Sequence, residues 1–174
     1  MVEDKISEKC RNIRLLVMDV DGTLTNGKVY YSGNGEELKQ FSIRDGMGIV
    51  LLQLAGIDTA IITAENSNIV EARASKLNIK HLVLGSKNKR KSLMELAEKL
   101  SLKMDEIAFI GDDINDIKAL EIAGLSACPS DANEQVKLVS DYVCQNQGGN
   151  GAVRELAEHI LLSQNKLITL PDNW

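Results

Sequence analysis

Arg14-Leu15-Leu16-Val17-Met18 runs directly into Asp19-Val20-Asp21-Gly22-Thr23-Leu24. A near-continuous apolar run of this length reads as a strand buried on both faces, as in a parallel sheet. The abrupt change to two carboxylates and a glycine marks the strand's carboxyl end. The same grammar recurs along the chain. Candidate strands fall at 14–18, 59–62, 81–84, 107–110, 125–127 and 142–144. Candidate helices fall between them, at 47–54, 68–77, 89–100, 114–123, 132–136 and 152–163. This alternation predicts an α/β domain: a parallel sheet with helices on both faces.

One segment breaks the rhythm. Residues 29–32, then Gly33-Asn34-Gly35, then 36–43 read as a β-hairpin, with Asn34-Gly35 supplying the turn because both residues tolerate positive φ. Spanning 28–43 and following the first strand's loop, it is placed to act as a flap. Residues 1–11 read as an N-terminal extension. Residues 165–174 hold Pro171, show no periodicity and read as a flexible tail. With no repeat or low-complexity linker, residues 1–174 are read as a single domain.

Composition narrows the function. The chain has 174 residues, 20 basic and 25 acidic, for a net charge of −5. That balance argues against nucleic acid or an anionic membrane as partner. Aromatics at 3% leave an aliphatic core and few rings for stacking on bases. Cys10, Cys128 and Cys144 have unrelated spacings, suiting neither a disulfide framework nor a zinc site. Cys128 and Cys144 lie among apolar residues and read as core. No apolar run approaches the roughly 20 residues of a membrane span, and Met1 to Lys9 carries no apolar leader. The expectation is a soluble protein of a reducing compartment, the cytoplasm.

Ligands of open α/β sheets bind at the strands' carboxyl ends. The first strand delivers Asp19 and Asp21 there, the second Thr63, the third Lys89 after a short loop, and the fourth Gly111-Asp112-Asp113-Ile114-Asn115-Asp116. Clustered carboxylates repel unless a cation joins them, and hard oxygen donors suit Mg²⁺. A hydroxyl and an ammonium beside them make a site for a tetrahedral anion such as phosphate. One Asp can then attack phosphorus, and another, two residues on, can protonate the leaving oxygen and activate water. The other reading of Asp112 and Asp113 is capping of the following helix.

Asp19-x-Asp21-Gly22-Thr23, Thr63, Lys89 and Gly111-Asp112-Asp113-x-x-Asp116 resemble the four signature motifs of the haloacid dehalogenase superfamily, in order and in placement after strands. The resemblance implies a Rossmann-like sheet and assigns roles. Asp19 is the expected nucleophile and Asp21 the general acid/base. Mg²⁺ is expected on the Asp19 carboxylate, the Asp21 backbone carbonyl and the Asp112 carboxylate, with Asp113 behind them or acting through water. Thr63 and Lys89 are expected to bind phosphate, and Asp116 to orient the lysine. Within the basic run 87–91, Lys89 is chosen because Gly85-x-x-Asn88-Lys89 resembles the third motif.

Neither the interval from Asp19 to Thr63 nor that from Thr63 to Lys89 can hold a cap domain. The chain from about residue 12 to residue 167 resembles a capless branch that dephosphorylates 2-keto-3-deoxy sugar acids. The stretches that carry this likeness are Gly35-Glu36-Glu37-Leu38-Lys39 with Phe41, Arg44-Asp45-Gly46 with Gly48-Ile49, and Gly148-Gly149-x-Gly151-Ala152-Val153-Arg154-Glu155. The likeness implies a homotetramer in which hairpins associate and a neighbouring subunit covers each active site. Two departures bear on the substrate. Ala64 and Glu65 follow Thr63 where octulosonate 8-phosphate enzymes usually have Gly and Arg, and Asn150 stands where they commonly carry Arg. Glu65 with Lys76 resembles members acting on nine-carbon nonulosonate 9-phosphates, and the reading leans slightly that way. Arg73 or Lys76 is expected to meet a substrate carboxylate, in its own or an adjacent subunit. Their other reading is ordinary ion pairing on a helix surface.

Two further classes fit the sequence less well. The same domain occurs as a non-catalytic oligomerisation module in sugar-acid activation, but such a role goes with lost motif residues, and all are present here. A signalling receiver domain places its acidic pair first and its phosphorylated Asp later, opposite to this chain. His81 and His159 read as a strand-edge and a helix-surface residue.

Overall fold

The computed structural model describes residues 2–171. Strand β1 (Leu15–Met18) is followed by a hairpin of β2 (Thr25–Ser32) and β3 (Gly35–Phe41) that forms its own two-stranded sheet. Then come β4 (Asp58–Ile62), β5 (His81–Val83), β6 (Ile107–Ile110), β7 (Leu125–Cys128) and β8 (Tyr142–Val143). These five join β1 in one parallel sheet of order β5-β4-β1-β6-β7-β8. β1 is therefore central, with Met18 level with Ile61 of β4 and Ile110 of β6.

Alternation along β1 splits the core into two layers, because successive side chains point to opposite faces. Leu16 and Met18 pack with residues of α1 (Val2–Asn12), α2 (Ile43–Leu54), α3 (Asn68–Lys76) and α7 (Ala152–Ser163). Leu15 and Val17 pack with residues of α4 (Lys89–Leu100), α5 (Ile117–Leu120) and α6 (Glu134–Val139). The expected sheet with helices on both faces is observed, as are the core positions of Cys128 and Cys144. Among the described residues no helix is long and apolar enough to cross a membrane.

Several local expectations are corrected. The N-terminal extension is a helix, α1, whose Ile6 and Cys10 are buried one turn apart. Gln164 Nε2 donates to the Cys10 and Ile13 carbonyls and ties that helix's end to the C-terminus of α7. The hairpin starts at Thr25, and its tip is Gly33-Asn34 between the paired Ser32 and Gly35. Positive φ falls on Gly35 just past the tip, at +109°, and not on Asn34. α5 is a four-residue piece, since the Asp116 side chain holds residues 112–116 in a turn. The presumed tail is anchored: Lys166 Nζ donates to the Ala55 carbonyl at 2.7 Å and Ile168 packs on the core. Its last residues, 172–174, lie outside the described residues. His81 does lie on the edge strand β5. His159 is half-buried, stacked on Tyr142 at 5.2 Å, and not simply a surface residue.

Asp45 explains why two distant stretches belong together. It lies in the first turn of α2, where Ser42 Oγ accepts its N–H. Its own carboxylate accepts the Gly151 and Arg154 N–H groups at 3.1 and 2.9 Å. It thus caps α7 from another helix, because Gly151 at the N-cap has no side chain to do so. Removing it leaves buried donors unpaired, a loss of about 2 kcal/mol. Asp45→Ala should lower the melting temperature by roughly 4–8 °C. A thermal scan showing no change would mean that water satisfies these donors.

Candidate active site

Asp19 continues β1 by one residue, and its N–H donates to the Ile110 carbonyl of β6. The chain then folds back tightly. The Val20 carbonyl accepts the N–H groups of Leu24 and Thr25 at 2.9 and 3.0 Å. Gly22 has φ +96°, and a Cβ there would strike the Asp112 carboxylate, so the position demands glycine. Thr23 Oγ1 donates to Asp112 Oδ1 at 3.1 Å. Behind this loop lies the glycine-rich stretch at 148–151. Gly149 N–H donates to the Thr23 carbonyl at 2.9 Å, and a Cβ on Gly148 would run into the Gly22 carbonyl. The C-terminal stretch therefore buttresses the first motif by backbone contact.

Lys89, the first residue of α4, is 3% exposed. Asn88 caps that helix by accepting the Lys91 N–H, which fixes where Lys89 departs. Lys89 Nζ lies 2.5 Å from Asp19 Oδ1 and 2.6 Å from Asp116 Oδ1. The neighbouring lysines do not compete. Lys87 donates to the Ala64 carbonyl, and Lys91 sits near Glu95 in solvent. Asp116 is fully buried. Its Oδ2 accepts the N–H groups of Asp112 and Asp113 at 3.1 and 3.2 Å. It contacts both the lysine and the backbone of the acidic loop. Asp113 is exposed and accepts only the Ile114 N–H, so neither it nor Asp112 caps α5.

Asp19, Asp112 and Asp116 bring carboxylate oxygens within 4.8 Å of one another. Burial, and the Asp116 charge, push Asp19 up to about 6 against the pull of Lys89. Burial, with the Asp19 and Asp116 charges, pushes Asp112 up to about 8. For Lys89, burial opposes the charge, but the two carboxylates outweigh it and its pKa is raised. Asp116 has both oxygens engaged by Lys89 and the backbone. Asp19 and Asp112 are the donors left over, and the Asp21 carbonyl belongs to the same loop. Hard, crowded, under-neutralised oxygens fit a small divalent cation.

Thr63 lies just past β4, one strand over from Asp19, with its hydroxyl accepting the Glu65 N–H at 3.4 Å. It is buried, whereas Glu65 is exposed beside it. Arg73 and Lys76 are not brought to the cluster. Arg73 lies over the Phe41 ring and donates to the Ser42 carbonyl at 2.9 Å, at the hairpin's base. Lys76 is exposed at the far end of α3, which carries it about 13 Å away from the site's edge of the sheet.

Sequence reading missed Lys39. It reaches from β3 to Asp21 Oδ1 at 2.5 Å and to Glu36 Oε1 at 2.6 Å. Its stretch was singled out by likeness, but nothing in the spacing says that a hairpin lysine turns inward.

The family model for haloacid dehalogenase-like hydrolases matches residues 52–156. The 3-deoxy-D-manno-octulosonate 8-phosphate phosphatase KdsC of Escherichia coli K12 is 43% identical over 166 residues, covering 95% of this chain and 88% of that protein. The Yersinia pestis enzyme of the same name is 42% identical over 95% of this chain and 89% of its own length. A crystal structure of the Moraxella catarrhalis octulosonate 8-phosphate phosphatase, in complex with magnesium ion, phosphate ion and KDO, matches with TM-score 0.91 at 42% identity, covering 93% of each chain. The residues whose loss would mark a non-catalytic module are all assembled here. The chain belongs to the haloacid dehalogenase-like hydrolase family and is an enzyme of its phosphatase group.

Proposed function

We propose that the chain hydrolyses the phosphate monoester of a 2-keto-3-deoxy sugar acid through a phosphorylated Asp19. The observation that carries this reading is the buried Lys89, which holds the Asp19 carboxylate at the end of the central strand beside Asp112. Asp19 attacks phosphorus, and the bond to the sugar oxygen breaks as Asp21 gives that oxygen a proton. Asp21 then takes a proton from water as the water attacks the phosphoryl group, and Asp19 is released with free phosphate. Lys89 and Thr63 hold the phosphoryl oxygens as charge shifts among them. Mg²⁺ held by the Asp19 and Asp112 carboxylates and the Asp21 carbonyl supplies further neutralisation of that charge. Asp113 stands behind the ligands and Asp116 keeps Lys89 aimed.

The named relatives act on an eight-carbon acid. Glu65 favours a second reading within the class. An exposed carboxylate next to Thr63 can accept hydrogen bonds from sugar hydroxyls and repels a substrate carboxylate, which suits a longer nine-carbon acid. The hairpin supports assembly into a homotetramer. Tyr30, Tyr31 and Leu38 are exposed on a two-stranded sheet that covers little of its own chain. In such an assembly a neighbour closes the uncapped site, and Arg73 and Lys76 serve a substrate carboxylate across the interface. Sedimentation of the purified protein checks the tetramer.

Asp19→Asn should abolish phosphate release with an unchanged circular dichroism spectrum, and Asp21→Asn should lower turnover by roughly 10²–10⁴. Retained turnover in either variant overturns that residue's role. Mg²⁺ at a hundredfold excess over its Kd should stabilise the protein by about 2.7 kcal/mol. Calorimetry should show that Asp112→Asn loses most of this gain, and an undiminished gain would move the metal elsewhere. Glu65→Arg should shift the ratio of kcat/KM for nine- against eight-carbon acid phosphates toward the eight-carbon acid. An unmoved ratio removes Glu65 as selector.

A further inference from the structure

The Asp21 carboxylate is 28% exposed and faces the site, whereas the Lys39 side chain behind it is only 2% exposed. An ammonium so enclosed cannot bind substrate. Its recorded partners are Asp21 Oδ1 at 2.5 Å and Glu36 Oε1 at 2.6 Å. The second oxygen of Glu36, Oε2, accepts the Ser67 hydroxyl at 2.6 Å. Ser67 is buried and occupies the N-cap position of α3, yet it makes no capping bond. Its hydroxyl is turned to Glu36 instead, although a serine here ordinarily serves the helix. A continuous chain thus runs Asp21–Lys39–Glu36–Ser67. It links the first-motif loop, the hairpin, and the loop that carries Thr63 and Glu65.

We propose that Lys39 is a positioning residue for the general acid/base, with Glu36 and Ser67 fixing Lys39 in turn. This rests on the acid/base reading of Asp21. Lys39 occupies one carboxylate oxygen of Asp21 and so leaves the other to exchange its proton with the leaving oxygen and with water. An enclosed ammonium holds its partners in one geometry better than a solvated one, because it lacks water as an alternative. The hairpin is thereby part of the catalytic apparatus of its own chain, independently of any contact its outer face makes. Misplacement of a reacting group by about 1 Å can cost roughly 10²-fold in rate.

The test compares Lys39→Met, Lys39→Arg, Glu36→Gln and Asp21→Asn, each with its melting temperature recorded. Substrates are octulosonate 8-phosphate, or its nine-carbon counterpart if that is turned over faster, and p-nitrophenyl phosphate. The aryl leaving group needs no proton, so its first burst reports nucleophilic attack alone, while the sugar alcohol needs the acid. Lys39→Met should lower kcat on the sugar acid phosphate by about 10–10²-fold with KM within about threefold, and leave the aryl burst rate nearly unchanged. Lys39→Arg should restore most of the loss, and Glu36→Gln should show a smaller loss in the same direction. Equal loss on both substrates would make Lys39 merely structural and overturn the proposal, as would unchanged or raised kcat. If Lys39→Met does not fold, Glu36→Gln carries the same comparison with the same two outcomes. Full turnover by Asp21→Asn would instead overturn the acid/base reading beneath it.

Discussion

One buried ammonium organises this molecule. Lys89 stands between Asp19 and Asp116, three side chains at most 7% exposed, drawn from the end of β1, α4 and the loop after β6. Removing any partner would leave a buried charge uncompensated, which is costlier than never having formed the pair. The triad therefore specifies how three separate crossovers end at one edge of the sheet. It is also unbalanced. Two carboxylates share one lysine, and Asp112 adds a third carboxylate within the same few ångströms. The raised values of Asp19 and Asp112 express that excess. Such an excess of carboxylate is the kind of crowding that a cation relieves. The site's polarity is set by the fold before any ligand arrives.

The second constraint is backbone thickness. The first-motif loop is wrapped so closely by the 148–151 stretch that a methyl group on Gly148 meets the Gly22 carbonyl. Asp45 then caps the helix that begins just past that stretch. Residues more than a hundred positions apart thus share one structural duty. Asp45 and the 148–151 stretch support the first-motif loop through backbone contacts.

Much of this was legible in sequence for identifiable reasons. The strands are short apolar runs, and in a parallel sheet each delivers its next residue to the same edge, so Asp19, Thr63, Lys89 and Asp112 could be grouped without coordinates. What stayed hidden depends on register or on the third dimension. Helix α1 alternates charges and buries few residues, so its pattern is faint until α7 lies beside it. The break of α5 follows from Asp116 turning its carboxylate back to two backbone N–H groups, a competition that helical periodicity does not report. Lys76 ends a nine-residue helix that begins three residues past Glu65, a separation that sequence spacing does not display as distance. Lys39 was hidden because irregular pairing in the hairpin, with shifts after Thr25 and after Tyr30, sets which side chains turn inward.

The hairpin has two faces with different obligations. Inward, Lys39 and Glu36 are committed to Asp21 and Ser67. Outward, Tyr30, Tyr31 and Leu38 leave apolar surface in water, a state that association relieves. A two-stranded ribbon is marginal alone, so its position depends on the charged contacts of its inner face. With no cap domain in the chain, the ribbon thus ties the first-motif loop to the loop that carries Thr63 and Glu65, through the contacts of Asp21, Lys39, Glu36 and Ser67.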